Sequence, residues 1–408
     1  MEKNNKPLNV PHLRFPEFSG EWVAYRLGDV CKFFSGGTPS SSNKEYYDGD
    51  IPFIRSGEIH SESTELHITE KGFNNSSAKI VECGDLLLAL YGATSGDIAI
   101  SKIKGAINQA ILCIRTKHDS NFLKSSWEKH SKEILQTYLQ GGQGNLSADI
   151  VKKIKMSFPS QEEQKKISSF LHLIDERIST QKKIIEDLKK LKDAIAEKLF
   201  CSPDDETPEL RIANSLVCWN LYRLKDVCQR ISERNSQESS SLVLTIAAQY
   251  GLVSQTDFFN KSVASENLSN YYLIQKGDFA YNKSYSGEYP WGAVKRLELY
   301  EKGVLSPLYI CFRPNPLIVN SDFLSHYFET HKWHNGIGQI AGEGARNHGL
   351  LNVSISDYFA TLHRLPGLPE QKKIASYLNL LSDKISLANK ELQCYSRQKQ
   401  HLLARMFI

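Results

Sequence analysis

The sequence predicts a mixed α/β (α+β) chain made of one unit used twice, at residues 11–200 and 208–407, each copy ending in a long coiled-coil helix. Three observations predict it. The stretch Gln161 to Phe200 returns without a gap as Leu368 to Phe407, at a constant shift of 207 residues. Both copies carry mostly apolar residues at steps of four and three for five heptads. The segments ahead of them match as well, in short blocks whose shift drifts between 193 and 201. Drift of this kind marks insertions and deletions in loops, which tolerate them.

The helices come first because they are the clearest. In the central copy the seam runs through Ile167, Leu171, Ile174, Ile178, Gln181, Ile185, Leu188, Lys192, Ile195 and Leu199. In the C-terminal copy it runs through Ile374, Leu378, Leu381, Ile385, Ala388, Leu392, Tyr395, Lys399, Leu402 and Met406. A period of 3.5 held this long favours a coiled coil over a helix lying on a globular core. Forty residues at 1.5 Å each make a rod of roughly 60 Å. One rod with a single apolar stripe needs a partner, and the chain supplies a second. The expected arrangement is two duplicated globular domains separated by two long antiparallel helices, with pseudo-two-fold symmetry. The expected boundaries are a first domain at 1–160, a central helix at 161–200, a linker at 201–207, a second domain at 208–367 and a C-terminal helix at 368–408.

Within each domain the pattern is mixed. Leu86–Leu90 and Ile107–Ile114 are short apolar runs bounded by glycine, as strands would be. Asn121–Gln140 reads as a helix ended by Gly141-Gly142, with Gly336 and Gly338 ending its twin. Ser147 can cap a short helix before the strand leading to Pro159, and Ser356 stands opposite Asp149. The frames agree through Tyr25–Cys31 and Tyr222–Cys228, Trp22 and Trp219, and Gly105–Arg115 and Gly303–Arg313. The loops disagree. Gly36-Gly37-Thr38-Pro39 faces Glu233–Ser236, Leu90–Gly96 faces the dissimilar Tyr281–Gly287, and Gly141–Asn145 faces Gly342–His348. One frame bearing two loop sets suits the reading of two different targets.

Composition narrows the class. The chain is 40% hydrophobic and 24% charged, with a formal net charge of +4, which permits a polyanionic partner without requiring one. No apolar run reaches transmembrane length, and the opening MEKNNKPLNV has no apolar core, so a cytoplasmic protein with no membrane partner is expected. The eight cysteines are scattered without Cys-x-x-Cys spacing. Cys31/Cys228 and Cys113/Cys311 are equivalent pairs in apolar runs and read as core residues, as do Trp22 and Trp219. His326, His331 and His334 do not fall on one helical face, so no metal site is expected.

The chain resembles a known family at this point. The Leu-Arg-Phe-Pro-Glu-Phe lead at 13–18, the Gly-Gly-Thr-Pro loop, the Pro-x-x-x-Glu-Gln-x-x-Ile helix starts at Pro159 and Pro366, and the duplication are similar to those of the specificity subunits of type I restriction-modification enzymes. The resemblance covers nearly the whole length. It implies two target recognition domains, each reading half of a split, asymmetric site in double-stranded DNA. The helices, through Ile167, Leu171, Ile174, Ile178, Ile185, Leu188, Ile374, Leu378, Leu381, Ile385 and Leu392, would form the spacer and the docking surface for two methyltransferase subunits. Restriction/translocase subunits would join that core.

Motif chemistry agrees with a non-catalytic role. There is no Gly-x-x-x-x-Gly-Lys-[Ser/Thr], no Asn/Asp-Pro-Pro-aromatic tetrapeptide and no nuclease-spaced acidic set after Pro203-Asp204. No cofactor is expected in this chain; S-adenosylmethionine, ATP and Mg belong to partner subunits. The candidate DNA contacts are the loop residues Thr38, Tyr91, Asn145, Lys283, Tyr285, Arg346 and Asn347. Lysine, arginine and tyrosine suit phosphates or base edges, and asparagine suits adenine. Two other classes stay open on the residues alone: a self-sufficient nuclease or methyltransferase, and a coiled-coil adaptor that binds only proteins.

Overall fold

A computed structural model describes residues 9–139, 145–212, 218–247, 250–259, 267–287, 289–341 and 349–408. They form two compact units: the chain up to Lys182 together with Lys390–Ile408, and Lys183–Asn389. The first unit holds an antiparallel sheet in the order Cys31–Ser35, Ile111–Thr116, Leu86–Ala89, Ile98–Ile100. The second holds Cys228–Arg230, Ile310–Pro314, Phe279–Asn282 and Ala293–Arg296 in the same order. Each unit also pairs its entering strand with its leaving strand, Val23–Arg26 with Lys155–Phe158 and Asn220–Arg223 with Leu362–Leu365. The duplication read from scattered blocks is therefore a duplication of topology. The first unit adds a sheet of its own, His67–Ile68, Tyr47–Ile54, Gly105–Ile107 and Lys79–Val81, in which the Tyr47–Ile54/Gly105–Ile107 pair is parallel.

Two local expectations are corrected. The run Ile107–Ile114 is not one strand: Gly105–Ile107 and Ile111–Thr116 lie in different sheets. The break is made by Asn108, whose side chain accepts from the Ala110 N–H (3.1 Å), an Asx turn that competes with the ladder. Gly336 and Gly338 do not end a helix. The twin of the Ser120–Leu139 helix is split into Ser321–Tyr327 and His334–Ile340, and both glycines lie inside the second piece. A Cβ at Gly338 would meet the Trp291 ring at 3.3 Å, so the glycine serves close packing. The cap equivalent to Ser147 is Ser354, which accepts from the Asp357 N–H, and Ser356 stands opposite Asp149, each the second residue of its short helix. Gln140 and Gly141-Gly142 lie outside the described residues.

The long helices span Gln161–Leu199 and Leu368–Met406. Within the first unit their segments run antiparallel: the Arg177 guanidinium lies 4.6 Å from the Tyr395 ring centre, and Gln181 donates to Glu391 (3.0 Å). Every seam position named above is buried or half-buried. Each fully buried Ile or Leu contributes roughly 1.5–3 kcal/mol. The seam's three polar exceptions are all paired. Gln181 reaches Glu391, Lys399 lies between Asp175 (2.7 Å) and Glu128 (2.8 Å), and in the second unit Lys192 meets Glu329 (2.9 Å).

Each unit's core is closed by the end of a long helix. In the first, Phe407 packs on Trp22 and Phe122, beside Leu402, Leu403, Ile167 and Leu171. In the second, Phe200 packs on Phe323 and Tyr327, beside Leu199, Trp219, Ile374 and Leu378. Trp22 and Trp219 are 3% and 2% exposed, as core residues should be.

Glu329 gives the second unit a testable acid response. Burial alone would raise its pKa, but His326, Lys192 and Lys295 outweigh burial and hold it at about 2, against an ordinary 4.5. The folded value lies below the unfolded one, so the stabilisation is complete above about 4.5 and fades as pH falls toward 2. Glu329→Gln should lower the melting temperature at neutral pH, and the gap from the parent should close as the medium is acidified through that window. A gap that stays constant in pH-resolved thermal unfolding would assign the stabilisation to another group.

Candidate nucleic-acid interface

In the first unit the candidate loop is shaped by two glycines. Gly36 and Gly37 run against the strand Gly105–Ile107, with the Gly37 N–H donating to the Ile107 carbonyl (3.2 Å). A Cβ on Gly36 would fall 1.7 Å from that carbonyl oxygen, and one on Gly37 would fall 2.0 Å from the Ser77 hydroxyl, so no side chain fits at either position. The Tyr47 hydroxyl then ties down the Pro39 carbonyl (2.7 Å). This leaves Thr38 exposed beyond the strand end, where its hydroxyl donates to the Gln109 side-chain oxygen (2.6 Å).

Gln109 stands at the exposed apex of the Asn108 turn. The Tyr91 hydroxyl donates to its main-chain carbonyl. The Leu90 N–H bonds the Ala110 carbonyl (2.8 Å), and the Leu146 N–H bonds the Leu90 carbonyl (2.9 Å), which brings exposed Asn145 to the same place. Thr38, Tyr91 and Asn145 thus come from three loops that meet on one turn. Gln109 was missed in the sequence. Its signal was there: within the matched block Gly105–Arg115 it faces Pro307, a non-equivalent residue at the block's middle.

The second unit repeats the stitching with different residues. The Leu351 N–H bonds the Lys283 carbonyl (2.9 Å) and the Tyr285 N–H bonds the Gly349 carbonyl (3.1 Å). The Lys283 ammonium is half-buried and has no hydrogen-bond or ion-pair partner among the described residues. Tyr285 packs partly on the unit's core beside Trp291. Arg346 and Asn347 lie outside the described residues.

The motifs behind the family resemblance hold the frame. Arg14 forms a two-toothed pair with buried Glu163 (2.8 Å for each contact), and Arg211 meets Glu370 (3.3 Å). Gln164 donates to the Pro159 carbonyl (2.8 Å) and accepts from the Asp119 N–H (3.1 Å); Gln371 does the same with Pro366 (2.8 Å) and Asn320 (2.7 Å). Arg115 and Arg313 are equivalent and are likewise occupied, by Asp85 and Asp278. Burial pushes the Cys113 and Cys311 thiols up to about 12, which keeps both protonated. His326 bonds Asn379 and His331 bonds Glu197 (2.7 Å).

Against this geometry the comparisons fall into place. Residues 19–190 match the model of the type I restriction modification DNA specificity domain. Two specificity subunits from Methanocaldococcus jannaschii are similar. That of the type I restriction enzyme MjaIX is 27% identical over 53% of this chain and 54% of its own length. That of MjaVIII is 29% identical over 55% and 52%. The chain therefore spans about half the length of the curated relatives it matches. A solved S subunit of a type I restriction-modification system from M. genitalium has the same fold, with a TM-score of 0.56 at 15% identity over 98% of this chain and 99% of that one. These matches support reading the chain as an S subunit, with residues 19–190 similar to the type I DNA specificity domain.

The glycine contacts yield a prediction. Gly36→Ala places a methyl group on main-chain atoms that cannot turn aside, so the loop must lift from its strand. The melting temperature should fall by an amount equivalent to about 1–3 kcal/mol. The Thr38 methyl NMR resonance should shift as its contact with Gln109 is lost. A variant with the parent's stability and spectrum would show that the loop does not depend on this approach.

Proposed function

We propose that the chain is the DNA-reading subunit of a type I restriction-modification complex, each globular domain reading one half of a bipartite, asymmetric site in double-stranded DNA. The observation that carries this reading is a repeated frame with unlike loops at its rim. One unit presents Thr38, Gln109, Tyr91 and Asn145; the other presents Lys283 and Tyr285, with Pro307 where Gln109 stands. Arg346 and Asn347 extend the second set. A protein-only adaptor has no need of two such sets on one frame. The chain itself catalyses nothing. Two methyltransferase subunits dock along the long helices and restriction/translocase subunits join them, and S-adenosylmethionine, ATP and Mg act in those partners. The absence of nucleotide-binding and base-gripping motifs supports this division of labour.

The test is an exchange. Replacing residues 20–158 with the first recognition domain of another specificity subunit should change one half of the methylated motif and leave the other intact. A methylome in which both halves change would refute independent reading.

The helices also serve as the ruler between half-sites. One heptad inserted after Ile185 and one after Leu392 keeps the seam in phase and adds about 10 Å to each helix. With DNA rising about 3.4 Å per base pair, the preferred spacer should lengthen by roughly three base pairs, at reduced activity because the second half-site is also rotated. Methylation of a library with randomised spacer length checks this. An active variant that keeps the parent's spacer would limit the helices to docking.

A further inference from the structure

At Gln109 the two neighbouring hydroxyl protons are already committed inward. The Thr38 hydroxyl gives its proton to Gln109 Oε1 at 2.6 Å, and the Tyr91 hydroxyl gives its proton to the Gln109 carbonyl. Asn108 has turned its own side-chain oxygen to the Ala110 N–H (3.1 Å). Thr38 and Tyr91 are left with lone pairs alone to offer. The Gln109 amide nitrogen has no partner among the described residues, and the side chain is exposed. Its two N–H groups are free donors, and its oxygen keeps one lone pair unused. The Thr38 bond restrains the amide on one side of the turn and limits its rotation.

We infer that Gln109 is a base-reading residue of the first half-site, its carboxamide oriented by Thr38 to pair with the major-groove edge of an adenine. The match is chemical. Adenine presents an acceptor at N7 beside a donor at N6, and a clamped carboxamide presents a donor beside an acceptor. No other base offers that order of groups to a glutamine. Thr38 acts as a positioning residue through Gln109. The inference rests on the reading proposed above and names the residue and base class that this reading leaves open. The second unit has Pro307 at the equivalent place, so the same contact is not available there.

The experiment uses the full chain with its modification subunits, in cells whose methylated motif is read genome-wide. Three variants are compared with the parent: Gln109→Ala, Gln109→Glu and Thr38→Val. Gln109→Ala should relax one adenine position of the first half-site. Discrimination there should drop roughly 10- to 100-fold while the second half-site stays unchanged. Gln109→Glu has no N–H to give and should move the preference at that position toward cytosine, which presents only a donor. Thr38→Val should weaken the same position, and combining it with Gln109→Ala should add little, as expected if Thr38 works through the amide. Melting temperatures of the variants check the fold. An unchanged motif for Gln109→Ala, relaxation elsewhere, or a uniform loss at every site with the melting temperature preserved would overturn the assignment. A parent complex without any two-part motif would remove the underlying reading as well, whereas a normal parent motif with an unaltered Gln109→Ala motif would remove this inference alone.

Discussion

The ion pair between Arg14 and Glu163 is the contact on which the first unit depends. Glu163 is 1% exposed, and Arg14 meets both of its side-chain oxygens at 2.8 Å. An unpaired charge at that depth costs several kcal/mol. The arginine also donates to the carbonyls of Ser19 (3.1 Å) and Gly20 (2.6 Å), which shapes the chain entering the first strand. One residue earlier, the Leu13 N–H takes the Arg405 carbonyl (2.8 Å), one of the acceptors left open where a helix ends. Lead segment, start of one long helix and end of the other are thereby held at a single joint. The second unit repeats the joint with Arg211, Glu370 and the bond from the Leu210 N–H to the Lys198 carbonyl (2.9 Å).

This joint explains why sequence and structure divide the chain differently. By chain order the C-terminal helix belongs to the second repeat. By packing, its last residues from Lys390 belong to the first unit, where Leu402, Leu403, Met406 and Phe407 complete the core around Trp22 and Trp127. Neither core is made wholly from its own repeat's contiguous residues. A frame secured in this way leaves the rim free to vary, because each core is closed by the helix ends and the loop residues Tyr91 and Tyr285 add only partly buried contacts.

The frame was legible because it is repeated and periodic. Two seams of period 3.5 and matched blocks such as Tyr25–Cys31 and Tyr222–Cys228 are long-range regularities that survive local noise. What stayed hidden was decided by single side chains. Asn108 cuts an apolar run into two strands through one hydrogen bond, and Gly338 sits inside a helix because Trp291 leaves no room for a larger residue. At the rim, Thr38 and Tyr91 could be named from residue type and loop position. Gln109 could not, since its role follows from bonds to residues 71 and 18 positions away, which no local pattern records.

The polar residues of the seam complete the picture. A seam of leucine and isoleucine alone would tolerate a slip of one heptad at small cost, because each apolar knob finds an equivalent hole. Here a slip within the first unit would pull Lys399 away from Asp175 and Glu128, and Gln181 away from Glu391. Lys399 is only 17% exposed, so its ammonium could not turn to water instead. Burial works against that charge, yet the two carboxylates raise its pKa overall, a gain present only in this register. In the second unit Lys192 instead ties its helix to the globular domain through Glu329, which Lys295 shares, and the equivalent of Asp175 is Ser382. The seam's apolar residues supply most of the attraction between helix segments. Gln181 and Lys399 decide how far along each other the segments of the first unit lie.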